Sequence, residues 1–376
     1  MDSSRARIQQ LSVNMNIGNK VSTSQRSNGT FRTAMNAPNN KTRVYDSSDY
    51  TRFLKNKNVF RRSRQEALQY ITNWIQLGLD IDGEAASDPS AKSVTLSSDG
   101  TIIAIGADSS NGINGAASGH VRVYQYSNDS WSQLGQDIGG ESVGDQSGES
   151  VSLSSNGSIV AIGARYNTEN GSDSGHVRVY QYSNDSWTQL GQDINGEAVG
   201  DQSGGSVTLS SDGTIVAIGA NKNEGNGTAS GHVRVYKYDV NKTTSITDQS
   251  SIDFGPVGWR RLGQDIDGET IYDYSGNSVS LSSDGTIVAI GANKNDNIGE
   301  FNSGHVRVYQ YNGTVWTQLG QDIDGESADD DSGYSVSLSS DGTIVAIGAI
   351  GDDGNGVDSG HVRVYKYDVN KTTSIT

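Results

Sequence analysis

The sequence predicts an all-β fold: a closed five-bladed β-propeller of four-stranded blades, preceded by a basic N-terminal arm that is partly disordered and partly short-helical. Three observations predict it. One strand–turn–strand unit recurs five times. Gly is abundant (47 residues) and Pro rare (3). Five tryptophans each open the same W-x-x-L-G-x-D-I stretch. Four antiparallel strands repeating at this period describe a propeller blade.

The unit is best seen in Ser278-Val-Ser-Leu-Ser-Ser-Asp-Gly-Thr-Ile-Val-Ala-Ile-Gly-Ala292, which returns at 93–107, 150–164, 206–220 and 335–349. Ser-Val-Ser-Leu alternates polar and apolar, the pattern of a half-buried strand. Ile-Val-Ala-Ile-Gly-Ala is apolar at both parities, the pattern of a strand covered on both faces. The Asp-Gly between them reads as a two-residue primed hairpin turn. A third strand, Gly-His-Val-Arg-Val-Tyr, follows each hairpin at 119–124, 175–180, 231–236, 304–309 and 360–365. The fourth is the Trp stretch at 74, 131, 187, 259 and 316, with an insertion at 239–258.

The phase of the array predicts closure. The repeats open on a Trp strand (74–81) and finish on a His-Val-Arg-Val-Tyr strand, so pairing the two would complete the last blade and leave no open edge. Residues 365–376 repeat 236–247 identically, which also fits a piece of a longer array. Connectivity places the Ser-Asp-Gly turns, the Tyr-to-Trp turns and the insertion on one face. The Gly- and Asn-rich loops and the acidic Asp-Ile-x-Gly-Glu loops fall on the other.

The chain has 376 residues, no cysteine and a net charge of −16. Thiolate metal sites and thiol nucleophiles are thereby excluded. No apolar run reaches the ~20 residues of a membrane span, and the first twenty residues hold no hydrophobic signal core. The charge is uneven: residues 1–73 carry 13 Lys and Arg against 4 Asp and Glu, whereas the rest is strongly acidic. Residues 1–42 read as a disordered basic arm. Residues 43–73 read as a short helical segment, with Ser63-Arg-Gln-Glu66 at capping-box spacing. The division expected is therefore 1–42, 43–73 and 74–376.

The combination Ser-Gly-x-Ser-Val-x-Leu-Ser-x-Asp-Gly-x-x-Val-Ala-Ile-Gly-Ala, then Gly-His-Val-Arg-Val-Tyr, resembles the FG-GAP repeats of integrin α-subunit propellers. It is closer still to the W-x-Q-L-G-Q-D-I repeat proteins of marine bacteria, algae and large algal DNA viruses. Ser replaces the Phe of Phe-Gly here, and the family's aspartate-rich calcium loop is cut to Ser-Ser-Asp-Gly-Thr, so its calcium sites do not carry over. The resemblance implies a non-enzymatic structural or interaction protein associated with a virion. Residues 1–73 would dock to other virion proteins or an anionic surface. The alternative is an extracellular adhesin or lectin meeting glycans or a host receptor through the long-loop face. No specific nucleic-acid recognition is expected.

The candidate side chains are repeat-equivalent. All five histidines (His120, His176, His232, His305, His361) stand two residues before an arginine (Arg122, Arg178, Arg234, Arg307, Arg363). In a strand, His, Arg and Tyr share one side and the two Val the other. Five pockets for an anionic or sugar ligand are one reading; blade-to-blade ties, as repeat consensus commonly encodes, are the other. The acidic loops Asp265-Ile-Asp267-Gly-Glu269 and Asp322-Ile-Asp324-Gly-Glu326 offer oxygen ligands for Ca²⁺ but lack the further ligands of an EF-hand; solvated charge is the competing reading. No other cofactor is implied. Catalytic triads and carboxylate pairs are asymmetric constellations, and five near-identical units supply none, so the sequence predicts no enzyme.

Overall fold

The structure, a computed structural model, describes residues 74–83, 90–112, 114–296 and 301–371, together with the backbone of three strands between 23 and 45. The chain divides into two units, Met1–Gln76 and Leu77–Thr376. In the first, Thr23–Gln25, Phe31–Asn36 and Thr42–Tyr45 form a three-stranded antiparallel sheet. Strands thus stand within the stretch expected to be disordered. The helical signals at 46–73 lie outside the described residues.

The second unit is all-β, with no helix among its described residues. It holds five sheets in sequence order. Sheet one comprises Ser93–Leu96, Ile102–Ala107, His120–Ser127 and Ser130–Gln133, with a short fifth strand, Ile138–Gly139, paired to His120 and Val121. Sheet two repeats it with Ser150–Leu153, Ile159–Ala164, His176–Ser183 and Ser186–Gln189. Sheet three has Ser206–Leu209, Ile215–Ala220, His232–Tyr238 and Trp259–Arg261. Sheet four has Ser278–Leu281, Ile287–Ala292, His305–Tyr311 and Trp316–Gln318. Sheet five has three strands, Ser332–Leu338, Ile344–Ala349 and His361–Lys366.

The two apolar parities have distinct partners. One face of each sheet, here the trailing face, presents the two Val of His-Val-Arg-Val. It meets the leading face of the next sheet, which presents Val and Leu of strand one with the Tyr and Trp. Between sheets two and three, Ile159, Ala161, Val177 and Val179 pack on Val207, Leu209, Val216, Ile218, Tyr236 and Trp259. Hydrogen bonds repeat the same step: Ser98 N, Ser155 N, Ser211 N and Ser283 N donate to the carbonyls of Ser155, Ser211, Ser283 and Ser340, one sheet further on.

Three expectations are corrected by the structure. The hairpin turn is not a two-residue primed turn. Only its Gly has a positive φ (+72° at Gly100), and the aspartate side chain closes the loop instead. Asp99 accepts from Thr101 N (3.0 Å), Thr101 Oγ1 (2.8 Å) and Ser97 Oγ (2.7 Å). The insertion 239–258 is not confined to the short-turn face. It climbs until Gln249 reaches Glu197 on the acidic-loop face, because Phe254 lies under both Arg234 (5.3 Å) and Arg261 (4.6 Å).

The third correction concerns closure. Residues 74–83 form no strand, Trp74 is wholly exposed, and the fifth sheet lacks a fourth strand. The other four sheets take their fourth strand from the Trp stretch next in sequence, a short loop to close.

Candidate interblade site

The site is built at each junction from two repeats. Extended backbone in the third strand sends His and Arg to the leading face, toward the preceding sheet. The Trp stretch then breaks at Leu-Gly, where Gly191 has φ +69°. After Gln192 and Asp193 the chain pairs back onto the start of the third strand: Ile194–Asn195 pairs with Val177 and His176. That return brings Asp193 beside His176. The preceding repeat adds a glutamate from its Asp-Ile-x-Gly-Glu loop, pinned by a buried aspartate. Asp145 accepts from Glu141 N (3.1 Å) and Ser142 N (2.8 Å); Asp201, Asp273 and Asp330 do the same in their loops.

At the second sheet this collects His176, Asp193, Glu141 and Glu169. His176 is 1 % exposed, and its Nδ1 lies 3.6 Å from Asp193 and 3.9 Å from Glu141, with no hydrogen bond to either. Arg178 holds the other oxygen of Glu141 at 3.4 Å and donates to the Gly139 carbonyl at 2.7 Å. The fourth sheet repeats this with His305, Asp322 (3.9 Å) and Glu269, the last bound by Arg307 at 3.2 Å. In the fifth, His361 meets Asp352 at 2.9 Å while Arg363 holds Glu326 at 3.1 Å. In these two sheets the nitrogen buried without a hydrogen bond is Nε2, not the Nδ1 that faces the aspartate.

The third sheet differs. Arg234 binds Asp265 with two parallel hydrogen bonds (2.9 and 2.7 Å) and also holds Glu197, and Arg261 adds a bond to Asp265 at 2.6 Å. Two guanidinium groups therefore occupy the carboxylates that face His232. The first sheet differs again: His120 bonds Ser110 Oγ at 2.7 Å and accepts from Arg122 Nε at 3.1 Å, so both ring nitrogens are used.

The electrostatics follow from burial. Burial, then the neighbouring guanidinium, lowers His176 to about 4, His232 to about 3 and His305 to about 4. All three are neutral imidazoles at pH 7. Burial also raises Glu141, Glu197 and Glu269. Asp265 is lowered: its burial acts upward, but the hydrogen bonds and charge of Arg234 outweigh it.

A pH dependence follows with a definite sign. An unfolded histidine titrates near 6.5, whereas His232 in the fold resists protonation down to about 3. Between those values the unfolded chain binds the extra proton, so stability falls on acidification from pH 6.5 and the loss levels off near pH 3. His232→Asn, which cannot titrate, should flatten that part of the curve. Denaturant midpoints of both proteins at closely spaced pH values check it; parallel curves would show that His232 contributes nothing.

The sequence-based candidates are thus rearranged. His and Arg of each repeat do come together on one face, as the strand period requires. The acidic triplets do not act as single loops. Asp265 turns to His232 and Arg234 of its own sheet, Glu269 reaches Arg307 of the next, and Asp267 offers its carbonyl to Arg307 at 2.8 Å. Asp322, Glu326 and Asp324 divide in the same way, with the Asp324 carbonyl accepting from Arg363 at 2.6 Å. Glu141, Glu169, Asp193, Glu197 and Asp352 were missed. The usable signal was the constant order of Glu in one repeat before His in the next.

No family model and no curated protein matches the chain. Among solved structures it is similar to a periplasmic gluconolactonase of Pseudomonas aeruginosa, at 14% identity and TM-score 0.43, over 88% of this chain and 75% of that one. It is also similar to a protein described as a 6-phosphogluconolactonase from Bacteroides uniformis, at 10% identity and TM-score 0.40, over 73% and 80%. Both are named as enzymes. The expectation of a non-enzymatic, virion-associated display protein, with an adhesin or lectin as its alternative, is corrected on that finding and goes no further. Likeness at this level transfers no activity to the chain either.

Proposed function

We propose that the protein is a multisite binder of divalent transition-metal cations, with the cations seated between successive sheets. The observation that carries the reading is His176 Nδ1: a buried imidazole nitrogen, without a hydrogen bond, aimed at two carboxylates 3.6 and 3.9 Å away. Those separations exceed a hydrogen bond. They approach the spacing that one cation with bonds of roughly 2.1 Å imposes on its ligands.

One neutral imidazole with two carboxylates is a borderline donor set, suited to Zn²⁺, Mn²⁺ or Co²⁺ better than to Ca²⁺, which prefers oxygen alone. Depressed histidine pKa values favour the reading, because a ligand must be unprotonated. Gln189 and Arg178 would serve as outer partners, orienting Asp193 and Glu141. The fourth and fifth sheets would supply further sites. The third would not, because Arg234 and Arg261 already satisfy its carboxylates.

Calorimetric titration of the chelator-treated full chain with Zn²⁺ or Mn²⁺ tests this. His176→Ala should remove one site and leave the rest. Arg178→Gln should weaken that site by about tenfold or more, since it removes the outer partner that orients Glu141. Metal uptake unchanged in His176→Ala and in Asp193→Asn would refute the assignment.

A further inference from the structure

The insertion 239–258 breaks the repeat at one junction, and there it walls a cleft of about 730 Å³. The opposite wall is the Trp stretch of the second repeat, and Arg234 and Tyr236 of sheet three line the space between. A volume of this size suits a small-molecule site. The insertion is tied down along its length. Lys242 Nζ donates to the carbonyls of Thr244 (2.7 Å) and Gly255 (2.9 Å), and Ser245 Oγ donates to Gln192 Oε1 (2.9 Å). Ile246 and Gly255 exchange two backbone hydrogen bonds of 3.0 Å.

Four amide side chains line the cleft and spend N–H groups on its own walls. Asn170 donates to Gly196 O (2.8 Å), Gln189 to Asp193, Asn195 to Glu169 (3.4 Å) and Gln249 to Glu197. What each amide keeps is its oxygen, an acceptor. Asn195 Oδ1 is buried with no hydrogen bond, which costs free energy until a donor reaches it. The charge has the same bias. Asp265, Glu197, Asp193 and Glu169 stand against Arg234 and Arg261, an excess of two negative charges with His176 and His232 neutral. The contacts of Glu197 with Arg234 and Gln249 both fall on Oε1, which leaves Oε2 as an acceptor. Ile246 and Pro256 add apolar surface on the insertion side.

We infer that this cleft takes an aliphatic polyamine, with one ammonium group seated by Asp193 and Glu169, another by Glu197, and Asn195 Oδ1 accepting a further N–H. An ammonium group donates and cannot accept, so it matches a lining whose unspent groups are acceptors. The methylene chain would lie along Ile246 and Pro256. A chain of net charge −16 also draws cations toward it, so the affinity should fall with added salt. Asp193 and Glu169 belong to the His176 cluster as well. The inference needs no metal there, and its test is made on metal-free protein.

Calorimetric titration of the chelator-treated, desalted full chain with spermidine tests this. Saturable binding is expected, and butylamine, with a single ammonium group, should bind about tenfold more weakly or worse. Glu197→Gln and Glu169→Gln should each weaken spermidine binding by about tenfold or more, the loss of one charged hydrogen bond. Glu169 is exposed, so its variant stays informative if Glu197→Gln disturbs the fold. Gln249→Lys, also at an exposed position, sets a tethered ammonium beside Glu197 and should abolish binding. Glu224→Gln makes the same change of charge at an exposed position outside the cleft and should leave the affinity unchanged. A wild-type chain that takes up no spermidine saturably overturns the inference. So does equal weakening by Glu224→Gln and Glu169→Gln, the mark of diffuse attraction to an acidic surface.

Discussion

Trp259→Ala is expected to cost about 3–5 kcal/mol of unfolding free energy, a large share of the roughly 5–15 kcal/mol that holds a typical domain folded. Trp259 is 0 % exposed and the largest fully buried side chain among the described residues. It closes the junction of sheets two and three. Its ring lies edge-on to Tyr238 at 5.3 Å, its indole nitrogen donates to Leu190 O, and Val207, Leu209 and Val179 pack in the same cluster. The insertion is tied to the same place, since Trp259 N donates to Pro256 O and Gly258 N to Lys242 O. Removing the ring leaves a cavity that backbone on both sides prevents from collapsing. Trp131, less covered in sheet one, should cost less on the same substitution. Denaturant unfolding of the two variants checks the order; equal losses would mean that burial at the junction does not set the cost.

Gly163→Ala should be nearly as damaging, by overpacking. Gly163 has no positive φ; its glycine is required by close approach. A Cβ there would stand 2.0 Å from the Gly204 carbonyl of the next sheet and 2.4 Å from Ser150 Oγ, which itself bonds Gly204 O at 2.8 Å. Neither neighbour is the end of a flexible chain, so the sheets must part, at a cost of about 1–3 kcal/mol or more. Gly348 is the internal control. It occupies the same place in sheet five, where a Cβ would meet only Ser335 and no backbone of a further sheet. Gly348→Ala should therefore lower the thermal midpoint of dilute protein far less than Gly163→Ala. Equal midpoints would place the strain within each sheet and not between sheets.

These residues also show how far the sequence could be read. The strand period was legible because side chains alternate. Ile-Val-Ala-Ile-Gly-Ala is apolar at both parities, and its Val160 and Ala161 are both fully buried, on opposite faces. The pairing of His with Arg on one face followed from the same rule. The split of the fourth strand was less legible, because a Gly within a strand pattern does not announce that the chain will turn and pair twice with one neighbour, as Ile194–Asn195 does. The His–Asp–Glu meeting was invisible for a different reason: it joins two repeats, and each taken alone shows only an acidic loop and a basic strand. Ring closure was inferred from strand count, which says which strands can pair and not that they do.

The third sheet gives the cation reading an internal contrast, because it has the same residue types with the carboxylates already taken by Arg234 and Arg261. Anomalous diffraction from crystals grown with Zn²⁺, recorded on both sides of the zinc edge, tests that reading most directly. The account predicts a peak between His176, Asp193 and Glu141, repeated beside His305, and none beside His232. Empty density at His176, or a peak of equal height at His232, would contradict it.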